Sequence, residues 1–237
     1  MFFTMGTVVS FRAPPEATAA CTADVQKIFR AHDDRFSLYK PDSELRQVTD
    51  GRLLLSRSSR EVREMYALAV EWRNTTGGLF DPHDPGGHLD LNGVVKAHAI
   101  DQAGQYLRQQ GVHDWSLNCG GDILCSGVQA PGTPWAIGIV NPTDRTTIIT
   151  TITMSPGRTA IATSGASERG HHIWSPSGKG GGSQPVVQAS VIAMDILTAD
   201  VLATTVCAGD TDIQDLAHRF KVQIFTVHAD GQSSTNP

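Results

Sequence analysis

No stretch of this 237-residue chain approaches the roughly 18 to 20 consecutive apolar residues that cross a bilayer as a helix. Runs of Lys or Arg are missing too, and the formal charge is −5 with a pI near 5.9. The chain therefore offers no electrostatic footprint for nucleic acid or for an anionic membrane. A phosphate-bearing ligand would have to be met by backbone amides, a metal, or single cations such as Lys96 and Arg169. The cysteines are few, and Cys21, Cys119, Cys125 and Cys207 form no C-x-x-C pair, which argues against a zinc cluster and for reduced, mostly buried thiols. Met1 to Thr7 lacks the charged and long apolar segments of a secretion signal. As it stands the chain reads as cytoplasmic, or as exported or membrane-associated if a leader has been trimmed. No internal repeat is visible.

What is present suffices for a sizeable core: 40% of the residues are hydrophobic. We expect one compact domain over residues 1–228 and a mobile polar tail over 229–237. Met5 to Phe11 reads as a first strand, broken by Pro14-Pro15, and Glu16 to about His32 as a helix. Phe36 to Leu45 is an aromatic-flanked turn leading into a short helix. Ser58-Ser-Arg-Glu61 has the capping-box pattern ahead of a helix that Gly77-Gly78 ends. A second long helix opens at Asn92-Gly93 and closes at Gly111. Strands are expected around Trp115–Leu124 with a Gly-Gly break, at Trp135–Val140, Thr146–Met154, Arg158–Thr163, Val186–Met194 and Val222–Val227, and a last helix at Asp210–Phe220. Helices interspersed irregularly among strands argue for an α+β fold rather than a regular βαβ winding.

Between Ser190 and Thr205 a strand-like run feeds a helix-like one. Asp200 and Thr204 are four apart, so on a helix they share one face, close enough for a carboxylate and a hydroxyl to hold one hard cation. The alternatives are a helix cap for the Asp and a bond from the Thr to its own i−4 carbonyl. Lys96, in the first turn of its helix, opposes the helix dipole. That conflict calls for an anionic partner, Asp90 or a ligand phosphate, unless Lys96 snorkels at the surface. Gly78 to Leu91 is a loop dense in Asp, His and Pro, of the kind that carries ligand contacts or forms a solvated turn cluster. His171-His172 stands in a hydroxyl- and glycine-rich loop, as a general base or a polar loop residue.

Taken in order, Met5-Gly-Thr7, Phe36-Ser-Leu-Tyr39, Gly78-Leu-Phe80-Asp81-Pro82, Asp90-Leu-Asn-Gly93-Val-Val-Lys96, Asn118-Cys-Gly-Gly-Asp122, Ala162-Thr-Ser-Gly165 with Glu168-Arg169, His172-Ile173 and Ala199-Asp200-Val-Leu-Ala-Thr204 resemble the ApbE-like FAD:protein FMN transferases over nearly the whole chain. The resemblance implies a single α+β domain of the T-fold type holding FAD in a cleft with Mg²⁺ at its pyrophosphate. It implies transfer of FMN onto a Ser or Thr of a target flavoprotein with release of AMP. It also implies Asp200, Thr204 and the carbonyl of Gly93 as metal ligands. Met5, Tyr39, Leu79, Phe80, Asp81, Asp90, Lys96 and Ile173 would line the FAD site, with His172 as proton acceptor. An FAD pyrophosphatase and a non-catalytic flavin carrier are the rival readings. Ala97 stands where the family has Gly, a Cβ expected to face the flavin phosphate.

Overall fold

The computed structural model describes residues 1–84, 86–165, 186–209 and 211–236. Among these residues the organising element is an antiparallel sheet of eight strands in the order β1-β2-β3-β4-β9-β10-β11-β12. The strands are β1 (Phe2–Thr4), β2 (Thr7–Arg12), β3 (Trp115–Cys119), β4 (Asp122–Ser126), β9 (Ala160–Gly165), β10 (Val186–Ala193), β11 (Gln223–His228) and β12 (Ser233–Thr235). Two smaller hairpins stand apart from it, β5 (Val128–Ala130) with β6 (Thr133–Pro134), and β7 (Ala136–Val140) with β8 (Ile148–Thr153). Among the described residues the helices are α1 (Pro15–Phe36), α2 (Glu44–Thr49), α3 (Arg60–Thr75), α4 (Asn92–Gln109), α5 (Ile196–Ala208) and α6 (Ile213–Phe220).

Side chains alternate across a strand, and that period assigns each residue a face. Val9, Leu117, Cys119, Leu124, Ala160, Ala162, Ala189 and Val191 point into one core, which α1, α4 and α5 cover with Phe29, Ile100, Ala103, Ala199 and Ala203. Ile123, Cys125, Ile161, Ile192 and Phe225 point the other way, under Trp135, Ile139 and Met154 of the β7–β8 region. The alanines on the helix face matter: small residues on β9, β10 and α5 let the helix lie close to the sheet. A third cluster joins α1, α2 and α3 to the loop before α4, with Phe36, Leu45, Met65, Phe80 and Leu91 around Val201 of α5. Helix and sheet mix in one compact domain, as the α+β reading holds, and among the described residues no helix is long and apolar enough to cross a membrane.

Several local expectations change. Met5 does not begin a strand; it forms with Gly6 the two-residue turn of the β1–β2 hairpin, with φ of 51° and 70° between the paired Thr4 and Thr7. Two positive φ values are what the right-handed twist of paired strands requires of so short a turn, and Met5 pays no heed to the usual glycine or asparagine there. Gly120-Gly121 makes the corresponding turn between β3 and β4, with φ of 62° and 100°. The cap of α3 is Ser59 rather than Ser58: its side chain accepts from the Val62 amide, whereas Ser58 Oγ donates back to the Leu55 carbonyl. Part of the polar end, expected as a tail, pairs instead as the edge strand β12 against β11. All four cysteines are thiols, three of them buried.

Candidate active site

α5 has almost no polar face. Ile196, Ala199, Val201, Leu202, Ala203 and Val206 are buried, and so is Asp200, only 3% exposed. The two rival uses of its polar residues fall to their neighbours. Asp195 is the N-cap, accepting from the Thr198 amide at 2.8 Å, and Thr205 is the residue that bonds its i−4 carbonyl, on Val201. Asp200 lies beyond the cap, and Thr204 one turn further on places Oγ1 3.2 Å from Ser164 Oγ on β9. Carboxylates are almost never so buried unless paired.

The pairing comes from α4. Lys96 makes an ion pair with Asp122 at the start of β4, and its Nζ lies 3.7 Å from Asp200 Oδ1. Asp122 is fully buried, and its other oxygen accepts from the Thr163 amide at 3.1 Å, tying β4 to β9. The partner expected for Lys96, Asp90, accepts a hydrogen bond from the Asn92 amide at the start of α4. Lys96 does not snorkel either: its side chain is 12% exposed. Four elements thus bring one cation, two carboxylates and two hydroxyls to one end of the helix face of the sheet. Asp122 and Ser164 went unassigned in the sequence. Asp122 ends the Asn118-Cys-Gly-Gly motif, and strand parity places it on the same face as Leu124, so motif and period together contained the signal.

Around this cluster the remaining candidates divide. Phe80 is buried, and Gly93 passes directly beneath it: a Cβ on Gly93 would come within 2.6 Å of the ring carbon Cε2. Met5 packs against both the main core and the Phe80 cluster, at the join between them. Leu79 is half-buried, and Tyr39 is 78% exposed in the turn between α1 and α2. Asp81 is engaged by its own chain, through Arg73 at 2.7 Å and His83. Burial works against its charge, yet the His83 amide and the Arg73 guanidinium outweigh it and hold the carboxyl below its ordinary range. His88 pairs with Asp84 in the same loop. Ala97 is buried in the main core, so its Cβ faces apolar side chains. His172, Ile173, His171 and the Glu168-Arg169 pair lie outside the described residues. A cavity of about 390 Å³ lined by Asn118, Thr163 and Gln188 opens on the opposite face of the sheet, under the β7–β8 hairpin, and is separated from Asp200 by the strands themselves.

The comparison with protein families decides the lineage: the model of the ApbE family matches residues 5–83 and 82–226. The chain belongs to the ApbE family. Among the relatives of this ApbE chain is an FAD:protein FMN transferase of Vibrio cholerae, 30% identical over 143 residues, 57% of this chain and 42% of the relative. Another so named, from Rhodobacter capsulatus, is 28% identical over 193 residues, 76% of this chain and 36% of the relative. The matches thus span less than half the length of these curated relatives. Solved structures show the fold at full extent. The ApbE protein of Thermotoga maritima superposes with a TM-score of 0.78 at 22% identity over 98% of this chain and 94% of that one. The flavin transferase ApbE of Vibrio cholerae does so with 0.77 at 21% over 99% and 94%.

Proposed function

We propose that this ApbE chain transfers the FMN half of FAD onto a Ser or Thr hydroxyl of an acceptor flavoprotein. The hydroxyl oxygen forms a phosphoester with the flavin phosphate, the pyrophosphate P–O bond breaks, and AMP leaves. The observation that carries this reading is the buried Asp200 with Thr204 and Lys96 beside it, in a family whose named relatives are FAD:protein FMN transferases.

The donor set at this end of the sheet is all oxygen, a carboxylate and hydroxyls, which suits a hard divalent cation such as Mg²⁺ and not a thiophilic one. Asp200, Thr204 and the carbonyl of Gly93 would hold the ion, which when bound supplies Lewis-acid charge at the pyrophosphate. Phosphoryl transfer asks for positioning and charge neutralisation more than for covalent chemistry from the protein. Lys96 would offset negative charge developing on the departing AMP. Met5, Leu79, Phe80, Asp81, Asp90 and Ile173 would line the dinucleotide, with the exposed ring of Tyr39 as a face for stacking. His172 would accept the proton of the incoming hydroxyl.

The test is product analysis. With FAD, Mg²⁺ and the acceptor of a named relative, flavin should become covalently attached to the acceptor and AMP should appear in equal amount. FMN and AMP formed at the same rate without acceptor would contradict transfer, and FAD left intact would contradict catalysis.

A further inference from the structure

Lys96 is shared unequally between two carboxylates. It pairs directly with Asp122 and stands 3.7 Å from Asp200, and all three groups are nearly removed from solvent. An ammonium beside the carboxylate that is to grip a divalent ion competes with that ion for the same oxygens. At the low effective dielectric of such a site the competition is strong. Something must therefore draw the lysine away from Asp200, and the arrangement supplies it. Asp122 starts β4 directly after the Gly120-Gly121 turn, points to the helix face, and is fixed by the Thr163 amide on the neighbouring strand. It has no freedom to follow the lysine, so the lysine follows it.

We propose that Asp122 is a positioning residue that parks the Lys96 ammonium and thereby keeps Asp200 available to the cation. This rests on the metal role given to Asp200 above, and it assigns a cause to the placement of Lys96. Lys96 serves the leaving phosphate from a position it would not hold alone. Without Asp122 the ammonium moves onto Asp200, and the cation must displace it.

The experiment is a titration of Mn²⁺ into the full chain by calorimetry and by the loss of free-ion electron spin resonance signal, without FAD. Asn at position 122 can still accept from the Thr163 amide, so Asp122→Asn should keep its unfolding midpoint while binding Mn²⁺ about tenfold more weakly, in the range of ordinary site-to-site coupling. Lys96→Met alone should bind at least as tightly as the unsubstituted chain. The double variant Lys96→Met/Asp122→Asn should recover most of the loss, because the competing charge is gone. A structural role for Asp122 would not be rescued in this way. Unchanged binding in Asp122→Asn, weaker binding in Lys96→Met, or a double variant no better than Asp122→Asn would each overturn the proposal. Asp200→Asn separates the two levels: if that variant binds Mn²⁺ like the unsubstituted chain, the metal assignment fails and the proposal with it, whereas loss of binding in Asp200→Asn with unchanged binding in Asp122→Asn overturns the parking of Lys96 alone.

Discussion

Asp200 occupies a helix whose other buried positions are Ile, Ala, Val, Leu and Thr, and its placement there costs desolvation that packing alone does not repay. Asn has the same shape. Asp200→Asn should therefore leave the thermal midpoint unchanged or raise it, while turnover with FAD falls by about 100- to 1000-fold, the loss typical of a group aimed at transition-state charge. Calorimetry and initial rates on the same preparation check both halves. Gly93 makes the opposite prediction. A Cβ there meets the Phe80 ring at 2.6 Å, so Gly93→Ala should destabilise the fold by about 1–3 kcal/mol in urea, as overpacked cores do. At this scale the sequence was legible where spacing was local: Asp200 and Thr204, four apart, share a helix face as read. The partner of Lys96 was not, because Asp122 is 26 residues away and only the β3–β4 hairpin brings it there.

The elements came through largely as read, with ends displaced where hydrogen bonds decided them. Ser58 and Ser59 are both chemically fit to cap α3, and only the 3₁₀ turn at Leu55–Arg57 shows why Ser58 is taken up elsewhere. The packing of α1 on α4 was not visible at all. His32, 7% exposed, donates from Nδ1 to the Ile28 carbonyl at 2.9 Å, so that the neutral ring accepts at Nε2 from His98 Nδ1, also at 2.9 Å. Burial, with a smaller contribution from His98, depresses His32 to about 4, although the Ile28 carbonyl acts the other way; burial lowers His98 as well. The unfolded chain, with His near 6.5, thus binds protons that the folded chain does not between about pH 6.5 and 4. More protons on the unfolded side mean that stability is full above about 6.5 and is lost as the pH falls toward 4. Urea midpoints across that window should decline, and His32→Leu should flatten the decline; an equal slope in that variant would place the pH dependence elsewhere.

Across the whole molecule, the sheet separates two tasks. One face carries the Lys96, Asp122 and Asp200 cluster under α4 and α5, while the other is closed by the β7–β8 hairpin. Composition and element order were enough for an α+β domain, but strand order could not be read: β4 pairs with β9 across an excursion that holds both small hairpins. The C-terminal residues also belong to this architecture. Because β12 pairs along β11 and Asn236 holds the Ile224 amide, deleting 229–237 should cost roughly 1–3 kcal/mol of stability, the net worth of a few hydrogen bonds. A mobile tail would cost nothing, and chemical denaturation of the shortened chain distinguishes the two.

On the proposed function, Asp200, Thr204 and Lys96 converge where a divalent ion would meet the dinucleotide. Pulsed electron spin resonance on the chain loaded with Mn²⁺ and FAD measures that contact. A phosphorus hyperfine coupling present in the unsubstituted chain and absent from Asp200→Asn is the predicted result; the same coupling in both would place the ion, and the chemistry, somewhere else.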